Sequence, residues 1–442
     1  MPYSSWFQCI DPECPERMAL TEIVYTCPSC DDLLMVAHDV DALKNRSGAA
    51  WMRLFDDRYM TTQFPYGSGV WGKKEWVYPQ IDDANIVSTY EGGSNLFQAI
   101  RFGEMIGVED LWIKQSGNSH TGSFKDLGMT VLVSAVQQMI HEGADIRAVI
   151  CASTGDTSAA VAAYCATAGI PSVVLLPKDK VTTSQLVQPL ANNALTLALD
   201  TDFDGCMEVV KLLSEDKRFY LANSINPLRI EGQKTISIEI VQQDDWQTPD
   251  WVIVPSGNLG NITAIGLGFQ MMHELGLINK LPRLVAAQAA AAAPLYDSYK
   301  TGFKEYSPVH AHGTQATAIQ IGNPVSAPRA IPILQEFDGV VEQATEDELS
   351  QEAALADSTG LFACPQTGVA LAALMKLAER SVISPEERVV VISTANGLKF
   401  PDFKTGYHSE TLPEVTAKLA NKPVELPGDY HAVAEAITKH AG

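Results

Sequence analysis

Residues 251–276 read WVIVPSGNLGNITAIGLGFQMMHELG, and this stretch decides the fold class. Its first five residues are apolar, as in a strand buried on both faces, and its last part has the length and pattern of an amphipathic helix. Between them lies Ser256–Asn261, where two glycines let backbone N–H groups converge at a helix N-terminus and bind one phosphate. A dinucleotide site fails on spacing, because no GxGxxG run occurs there. An ordinary glycine-containing turn remains the alternative.

Outward from this stretch, short apolar runs alternate with amphipathic segments of helical length. The alternation predicts an α/β fold with parallel sheets flanked by helices, and ligands at the carboxyl ends of the strands. The stretch 42–90, rich in aromatic and charged residues, is predicted to cover the fold with little regular structure. The predicted strands are Leu111–Gln115, Ala148–Ser153, Ser172–Pro177, Ala194–Asp200, Phe219–Asn223, Trp251–Pro255, Arg283–Gln288, Gly339–Ala344 and Arg388–Thr394. The predicted helices include Ser158–Ala168, Asn261–Gly276, Glu346–Thr359 and Gln366–Arg380.

A second unusual loop is NSHTGSFKD, residues 118–126. Ser123 and Asp126 form a capping-box pattern, which predicts Lys125 in the first turn of a helix. The positive end of the helix dipole disfavours an ammonium group, so we expect the pKa of Lys125 to be lowered and its amine to be a better nucleophile for a carbonyl. The alternative is an ordinary exposed lysine that covers the helix start.

A third loop, CASTGDTSA at residues 151–159, again joins a predicted strand to a predicted helix. Clustered hydroxyl groups together with free helix N–H groups suit an anion, such as the carboxylate or phosphate of a substrate. Simple N-capping is the alternative, and it would use only one or two of these side chains. The polar residues of the loop are Ser153, Thr154, Asp156 and Thr157.

The charge balance limits the partners. The 442 residues include 31 Lys and Arg against 53 Asp and Glu, a formal net charge of −22. Such a surface repels nucleic acids and anionic lipid, so we expect a small-molecule substrate and neither a nucleic-acid nor a membrane partner. No leader and no membrane span is predicted, and isolated cysteines in apolar context favour the reducing cytoplasm.

Four of the eight cysteines fall within the first thirty residues, as Cys9-x4-Cys14 and Cys27-x2-Cys30. Two short-spaced pairs can present four thiolates tetrahedrally, which predicts a small zinc-ribbon-like segment. A metal held by four thiolates has no open position, so such zinc would be structural. A ribbon without metal, or thiols that merely pack, is the alternative.

A nucleophilic lysine, a cradle for one phosphate and an anion loop at one edge of an α/β protein together point to pyridoxal phosphate. Many runs of this sequence, in matching order and spacing from about Ile23 to the C-terminus, resemble the plant-type threonine synthases, which are fold-type II pyridoxal-phosphate enzymes with two domains. These runs are SNLF, HTGSFKDLGMTV, ASTGDTSAA, LVQPLAN, DTDFDGC, EGQKT, DWVIVPSGNLGN, GFQM, ADSTG, CPQTGVAL and ISTANGLKF.

The resemblance implies roles for individual residues. Lys125 would form the Schiff base with the cofactor. Thr394 would lie against the pyridine nitrogen, and Asp156 stands where relatives outside the plant type carry an Asn that faces the ring oxygen. The cofactor phosphate would be held by Gly257, Asn258, Leu259, Gly260 and Asn261.

The substrate implied by the resemblance is O-phospho-L-homoserine, converted with water to L-threonine and phosphate by γ-elimination followed by β-addition. Its carboxylate would be bound by Ser153 and Thr154. An Arg fork with neutral donors suits its dianionic phosphate. The phosphate-binding residues would be Thr157, Asn223, Ser224 and Arg229.

The resemblance also predicts a homodimer, with a ribbon-like segment at 1–45, a cofactor-binding domain at 46–128 and 233–442, and a small α/β domain at 129–232. The sequence departs from plant members in its cysteine pairs, so the S-adenosylmethionine activation of those enzymes is not carried over. Asn396 stands where many relatives have His. The competing functions are another fold-type II enzyme, such as a threonine dehydratase or a cysteine synthase, and a non-catalytic, zinc-braced scaffold.

Overall fold

The computed structural model describes residues 3–153, 155–178 and 183–441. No helix within these ranges is long and apolar enough to cross a membrane. The strands are β1 (Ser5–Cys9), β2 (Arg17–Met18), β3 (Leu34–His38), β4 (Leu96–Gln98), β5 (Leu111–Gln115), β6 (Ala148–Ala152), β7 (Ser172–Pro177), β8 (Leu195–Leu199), β9 (Phe219–Leu221), β10 (Trp251–Pro255), β11 (Arg283–Ala289), β12 (Val340–Ala344) and β13 (Val389–Ser393).

Single helices alternate with the strands from α4 to α8, and one or two α-helices lie between successive strands after that. They are α1 (Val40–Lys44), α2 (Gly48–Arg58), α3 (Lys74–Val77), α4 (Ile100–Ile106), α5 (Lys125–His141), α6 (Asp156–Ala168), α7 (Thr183–Ala191), α8 (Phe203–Leu213), α9 (Leu228–Gln233), α10 (Thr235–Gln243), α11 (Gly260–Glu274), α12 (Pro294–Lys300), α13 (Ala327–Glu336), α14 (Glu346–Asp357), α15 (Pro365–Glu379), α16 (Pro401–His408) and α17 (Tyr430–Ala441). Every strand and helix predicted from the sequence is present, with bounds shifted by a few residues.

The central sheet has six strands in the order β12-β11-β10-β13-β5-β4. All neighbours are parallel except β4, which pairs antiparallel with β5 and was not predicted. Strands β10 and β13 are buried at every residue, because helices cover both faces. Their carboxyl ends lie side by side, so the loops that follow them meet at one edge of the sheet.

A second, all-parallel sheet has the order β8-β7-β6-β9. Its central strand β6 is fully buried. The loop after β6 and the segment after β9 reach the same region as the loops of the central sheet. The polar residues predicted from the two sheets therefore converge.

The N-terminal residues form a third sheet, in which β1 pairs antiparallel with both β2 and β3. The following stretch is more regular than predicted, because it contains the eleven-residue helix α2. Its apolar face packs Trp51 and Phe55 against Trp76, with ring centroids 5.6 and 5.0 Å away. The expectation of little regular structure over 42–90 is therefore wrong for α2.

Candidate active site

A cavity lies where the loops of the two parallel sheets meet. Cofactor and small-molecule sites in α/β proteins are commonly found at such strand ends. Candidate site residues that were predicted from three separate loops border this cavity. The lining residues are Phe124, Lys125, Asp156, Ser224, Arg229, Ile230, Gln233, Pro255, Gly257, Asn258, Leu259, Gly260, Asn261, Ile262, Ala318, Ile319, Gln366 and Thr394.

The loop after β10 forms a backbone cradle at the start of α11. The N–H groups of residues 257–261 donate to no acceptor among the described residues. Both side-chain amide atoms of Asn261 are buried without a partner. A Cβ atom built on Gly260 would have its nearest neighbour, Ser326 Oγ, 3.8 Å away, so the space in front of this glycine is open. Unpaired donors around an open space at a helix N-terminus fit a phosphate group.

Lys125 is the first residue of α5 and borders the same cavity. Its Nζ lies 4.3 Å from the centre of the Phe124 ring and donates to no described acceptor. Burial lowers the pKa of Lys125 to about 7, the Arg229 guanidinium adds to the effect, and Asp156 opposes it. The sequence predicted the lowered pKa, although burial is the largest cause. A neutral amine facing a cavity is suited to forming a Schiff base.

The capping box predicted at this helix start is wrong. Asp126 does not cap through Ser123; its carboxylate instead accepts bonds from Ser119 Oγ (2.6 Å) and from Thr121 N (2.8 Å) and Oγ1 (2.5 Å). The loop before α5 is thereby folded back on the helix. Phe124 N also donates to Thr394 O at 3.0 Å, which fixes Lys125 beside the end of β13.

Arg229 lies on α9 and borders the same cavity. It is 3 % exposed. Its guanidinium donates to Ala222 O (3.0 Å), to Ser224 Oγ (3.5 Å) and to Thr157 Oγ1 (3.4 Å), and pairs with no carboxylate among the described residues. Burial lowers the pKa of Arg229 to about 10, so it remains a cation at neutral pH. A buried cation without a counter-ion, beside two hydroxyls, fits a bound anion.

Close packing of two helices sets the position of Arg229 relative to Lys125. A Cβ atom on Gly232 of α9 would lie 1.7 Å from Leu127 O of α5. Only glycine permits this approach, which brings the side chains of Lys125 and Arg229 to the same cavity.

Two other predicted substrate residues are occupied by local contacts. Asn223 Nδ2 donates to Ala152 O (2.9 Å), and Asn223 Oδ1 accepts from Ala152 N (3.1 Å). Ser153 Oγ accepts from Gly155 N and Ser158 N, the N-capping alternative for this loop. Neither borders the cavity. Thr154 lies outside the described residues. Fewer of the predicted anion-binding residues therefore border the cavity than the sequence suggested.

Thr394 lies at the cavity beyond the end of β13, as the resemblance implied. Its Oγ1 is 3.8 Å from Cys364 Sγ, which is 3.0 Å from Thr367 Oγ1. Among the described residues, no carboxylate forms a hydrogen bond with Thr394. Asn396, two residues later, accepts from Leu398 N (2.9 Å) and does not border the cavity.

Comparison with known proteins supports the same interpretation. Residues 87–395 match the family described as pyridoxal-phosphate dependent enzyme. The chain is 56% identical to threonine synthase 2, chloroplastic, of Arabidopsis thaliana, over 97% of this chain and 83% of that protein. It is 39% identical to threonine synthase of Methanocaldococcus jannaschii, over 89% of this chain and 93% of that protein.

The chain belongs to the threonine synthase family of pyridoxal-phosphate-dependent lyases. Its fold is also that of the crystal structure of Escherichia coli threonine synthase, with a TM-score of 0.66 at 22% sequence identity, covering 98% of this chain and all of that one. The fold-type II architecture and the pyridoxal phosphate cofactor follow from this membership. The unpaired donors of residues 257–261 and the amine of Lys125 fit that cofactor.

Lys399 of this threonine synthase family member was not predicted as a site residue, yet its side chain connects three parts of the site. Its Nζ is 3.2 Å from Asp156 Oδ1, 2.9 Å from Thr121 O and 2.6 Å from Gln188 Oε1. It thereby connects the segment after β13 to α6 and α7. The only available signal was its place in the ISTANGLKF run, because its partners are far away in the sequence.

A second missed residue is Gln366, at the start of α15. Both polar atoms of its side chain are buried without a partner, and it borders the cavity. Its amide is therefore free to form hydrogen bonds with a ligand or an ordered water in the cavity. Nothing in the local pattern distinguished it from an ordinary N-terminal helix residue.

The four N-terminal cysteines of this family member also come together. Cys9 Sγ and Cys30 Sγ are 3.4 Å apart, and Cys14 Sγ and Cys27 Sγ are 3.6 Å apart. All four sulfur atoms lie within 4.8 Å of one another, and none forms a disulfide. The cluster has the composition of a structural zinc site.

Proposed function

We propose that this protein is a threonine synthase that converts O-phospho-L-homoserine and water to L-threonine and phosphate. The observation that supports this best is Arg229, a buried cation without a carboxylate partner, beside Ser224 and Thr157 and at the same cavity as Lys125. A site for a dianion separate from the cofactor's own phosphate cradle suits a phosphorylated substrate.

Different residues at the cavity would carry out proton transfer and phosphate binding. Bound pyridoxal phosphate supplies an electron sink for charge that develops on carbons near the substrate amine. Lys125, whose pKa of about 7 leaves much of the amine unprotonated at neutral pH, takes the proton from the substrate Cα. Arg229, Ser224 and Thr157 hold the phosphate as it leaves Cγ and stabilise its growing charge. A Cβ proton is lost as the Cγ–O bond to phosphate breaks, and Cγ then gains a proton to become the methyl group. Water adds at Cβ to give the hydroxyl group, and a proton returned to Cα completes threonine.

Other residues orient the two phosphorylated molecules. Residues 257–261 would bind the cofactor phosphate through backbone N–H groups, and Thr394 would lie at the pyridine nitrogen. Asp156 would face the ring oxygen, with Lys399 as its counter-ion. For the substrate carboxylate we keep Ser153 and Thr154, at the N-terminus of α6, and for its phosphate we keep Asn223 as a further ligand once it leaves Ala152.

The test is phosphate release. Purified protein loaded with pyridoxal phosphate should release inorganic phosphate from O-phospho-L-homoserine and form threonine in equal amounts. Lys125→Ala should do neither while remaining folded by circular dichroism. Deamination of free serine or threonine without phosphate release would favour a dehydratase, and addition of sulfide to an activated serine would favour a cysteine synthase. A protein that shows no visible cofactor band and is unchanged by borohydride would favour the non-catalytic scaffold.

We also propose that Cys9, Cys14, Cys27 and Cys30 bind one structural zinc ion. Four thiolates at zinc–sulfur distances of about 2.3 Å lie roughly 3.8 Å apart in a tetrahedron, close to the separations seen here. Protein purified without chelators should contain one zinc per chain by atomic emission. Cys27→Ser should lose it, whereas Cys206→Ser, at a buried cysteine elsewhere, should keep it. Metal-free wild-type protein would contradict the assignment.

Three further sequence predictions stay proposals. The distribution of the strands among three sheets supports domains at 1–45, at 46–128 with 233–442, and at 129–232.

A homodimer is proposed by analogy with fold-type II enzymes, and sedimentation velocity tests it. A cytoplasmic location is proposed from cysteine usage, although the Arabidopsis relative is named as chloroplastic. Cell fractionation decides between the two compartments.

A further inference from the structure

The N-terminal ribbon, residues 5–38, contacts the segment that carries three of the four predicted phosphate ligands. This segment, residues 219–234, contains β9, the loop with Asn223 and Ser224, and α9 with Arg229. Three separate contacts join the ribbon to it, near its start, its middle and its end. None of them involves a predicted ligand, so the ribbon holds the segment without occupying the cavity.

The first contact is a hydrogen bond at the end of β9. Leu221 N donates to Tyr25 Oη at 2.7 Å. The Tyr25 ring also packs edge-on against Tyr220, with centroids 5.7 Å apart. Tyr25 lies two residues before Cys27, so the cysteine hairpin that begins there sets its position.

The second contact passes through Arg329 of α13. One guanidinium nitrogen, Nη2, donates to Leu34 O of the ribbon and to Ile225 O of the loop, the latter at 3.4 Å. Nη1 donates to Ser326 Oγ. Arg329 is 7 % exposed, so it joins the two carbonyl groups from a buried position. Ile225 directly follows Ser224.

The third contact is a buried group of three ionisable residues. His38 Nε2, at the end of β3, lies 2.8 Å from Glu231 Oε2 and 3.0 Å from Lys234 Nζ. Lys234 also pairs with Glu231. Glu231 is two residues beyond Arg229 on the short helix α9, so this contact fixes the helix that aims the guanidinium.

We infer that the N-terminal ribbon is a positioning element for substrate phosphate, which holds Ser224 and Arg229 in their binding geometry through Tyr25, Arg329 and His38. The inference rests on the proposed function, since it takes the 219–234 segment to be the phosphate site. The ribbon would then affect the binding of the substrate phosphate rather than the chemical steps that follow. A ribbon that only stabilised the fold would leave substrate affinity unchanged.

The test uses Tyr25→Phe, which removes one hydroxyl group and keeps the ring, together with His38→Gln. The matched control is Ser5→Ala. It breaks a ribbon contact of similar length, from Ser5 Oγ to Gln80 Oε1 (2.8 Å), that is made to a residue outside the 219–234 segment. Two quantities are measured on the holoenzyme: the dissociation constant for inorganic phosphate, from the change in cofactor fluorescence, and kcat and KM for O-phospho-L-homoserine.

We expect Tyr25→Phe and His38→Gln each to raise the phosphate dissociation constant and the KM about three- to tenfold, with kcat within about twofold of wild type. Cofactor content should not change, and Ser5→Ala should behave as wild type. Unchanged phosphate affinity and KM in both variants would overturn the inference, as would an equal rise in Ser5→Ala.

The outcomes also separate this inference from the proposed function. Weaker phosphate binding in the variants, with no turnover of O-phospho-L-homoserine by wild type, would keep the positioning role and reject the threonine synthase reaction. Turnover by wild type with unaffected variants would reject the positioning role alone. A holoenzyme that neither binds phosphate nor turns over the substrate would overturn both.

Discussion

The lowered pKa of Lys125 predicts how the apoprotein captures its cofactor. Only the neutral amine attacks the cofactor aldehyde, so the rate of capture should rise with pH through about 7 and then level off. Replacing Arg229 by Gln removes a positive charge that lowers this pKa, and should move the midpoint to higher pH. Stopped-flow absorbance after mixing apoprotein with pyridoxal phosphate measures both curves. A midpoint near the ordinary lysine value of about 10.4 would contradict the burial argument.

Arg229 itself should control substrate affinity. Arg229→Ala should raise the KM for O-phospho-L-homoserine by at least about tenfold, because a buried charge-assisted contact to the phosphate is lost. Arg229→Lys keeps the positive charge but not the forked guanidinium, so its KM should lie between those of the wild type and Arg229→Ala. Steady-state kinetics with measured cofactor content tests this. Arg218→Ala, at an exposed ion pair with Asp216, is the control, and an unchanged KM in Arg229→Ala would argue against phosphate contact.

At the scale of elements, Lys399 joins the segment after β13 to the N-terminus of α6. Lys399→Met leaves the Asp156 carboxylate, which is 7% exposed, without its cation. We expect the free energy of unfolding to fall by about 2–4 kcal/mol. Adding Asp156→Asn should recover part of the loss, since the uncompensated charge is then gone. Urea denaturation of the four proteins in this cycle measures the coupling, and strictly additive losses would mean that the pair is not coupled.

The sequence predicted the elements that are buried and local, and missed those that depend on distant partners. Strands β10 and β13 are continuous apolar runs between turn residues, so their pattern sufficed. The two-residue β2 and the three-residue β4 are too short to show a period. The capping box at Ser123 failed because Ser119 and Thr121, both before the helix, compete for the Asp126 carboxylate.

The site residues also separate into those that the local sequence predicts and those that depend on distant partners. Lys125 and residues 257–261 lie in strand-to-helix loops, where local sequence carries the chemistry. Arg229 was placed by resemblance, because nothing near it in sequence shows that it lacks a carboxylate partner. Lys399 and Gln366 act through burial and long-range contacts, which no single stretch of sequence displays.

At the scale of the whole molecule, the net charge of −22 opposes the approach of a dianionic substrate. Screening this repulsion should raise kcat/KM as ionic strength increases from low to physiological values, with a salt whose anion does not compete for the phosphate site. The kcat at saturating substrate should stay constant, which provides an internal control. A kcat/KM that falls steadily with salt would mean that a local positive field extends well beyond the cavity.

The strand order also dictates when the site can exist during synthesis. Strand β13 lies between β10 and β5, and Leu111 pairs with Val389, near the other end of the chain. Until that late strand leaves the ribosome, β5 has only β4 as a neighbour and lacks its partner on the inner side of the central sheet. Thr394, which borders the cavity with Lys125, is then also missing. Contacts of such long range form slowly, because the loop must close before they contribute. The nascent chain can therefore complete its N-terminal sheet early, but it can retain its cofactor only after nearly the whole protein has been made.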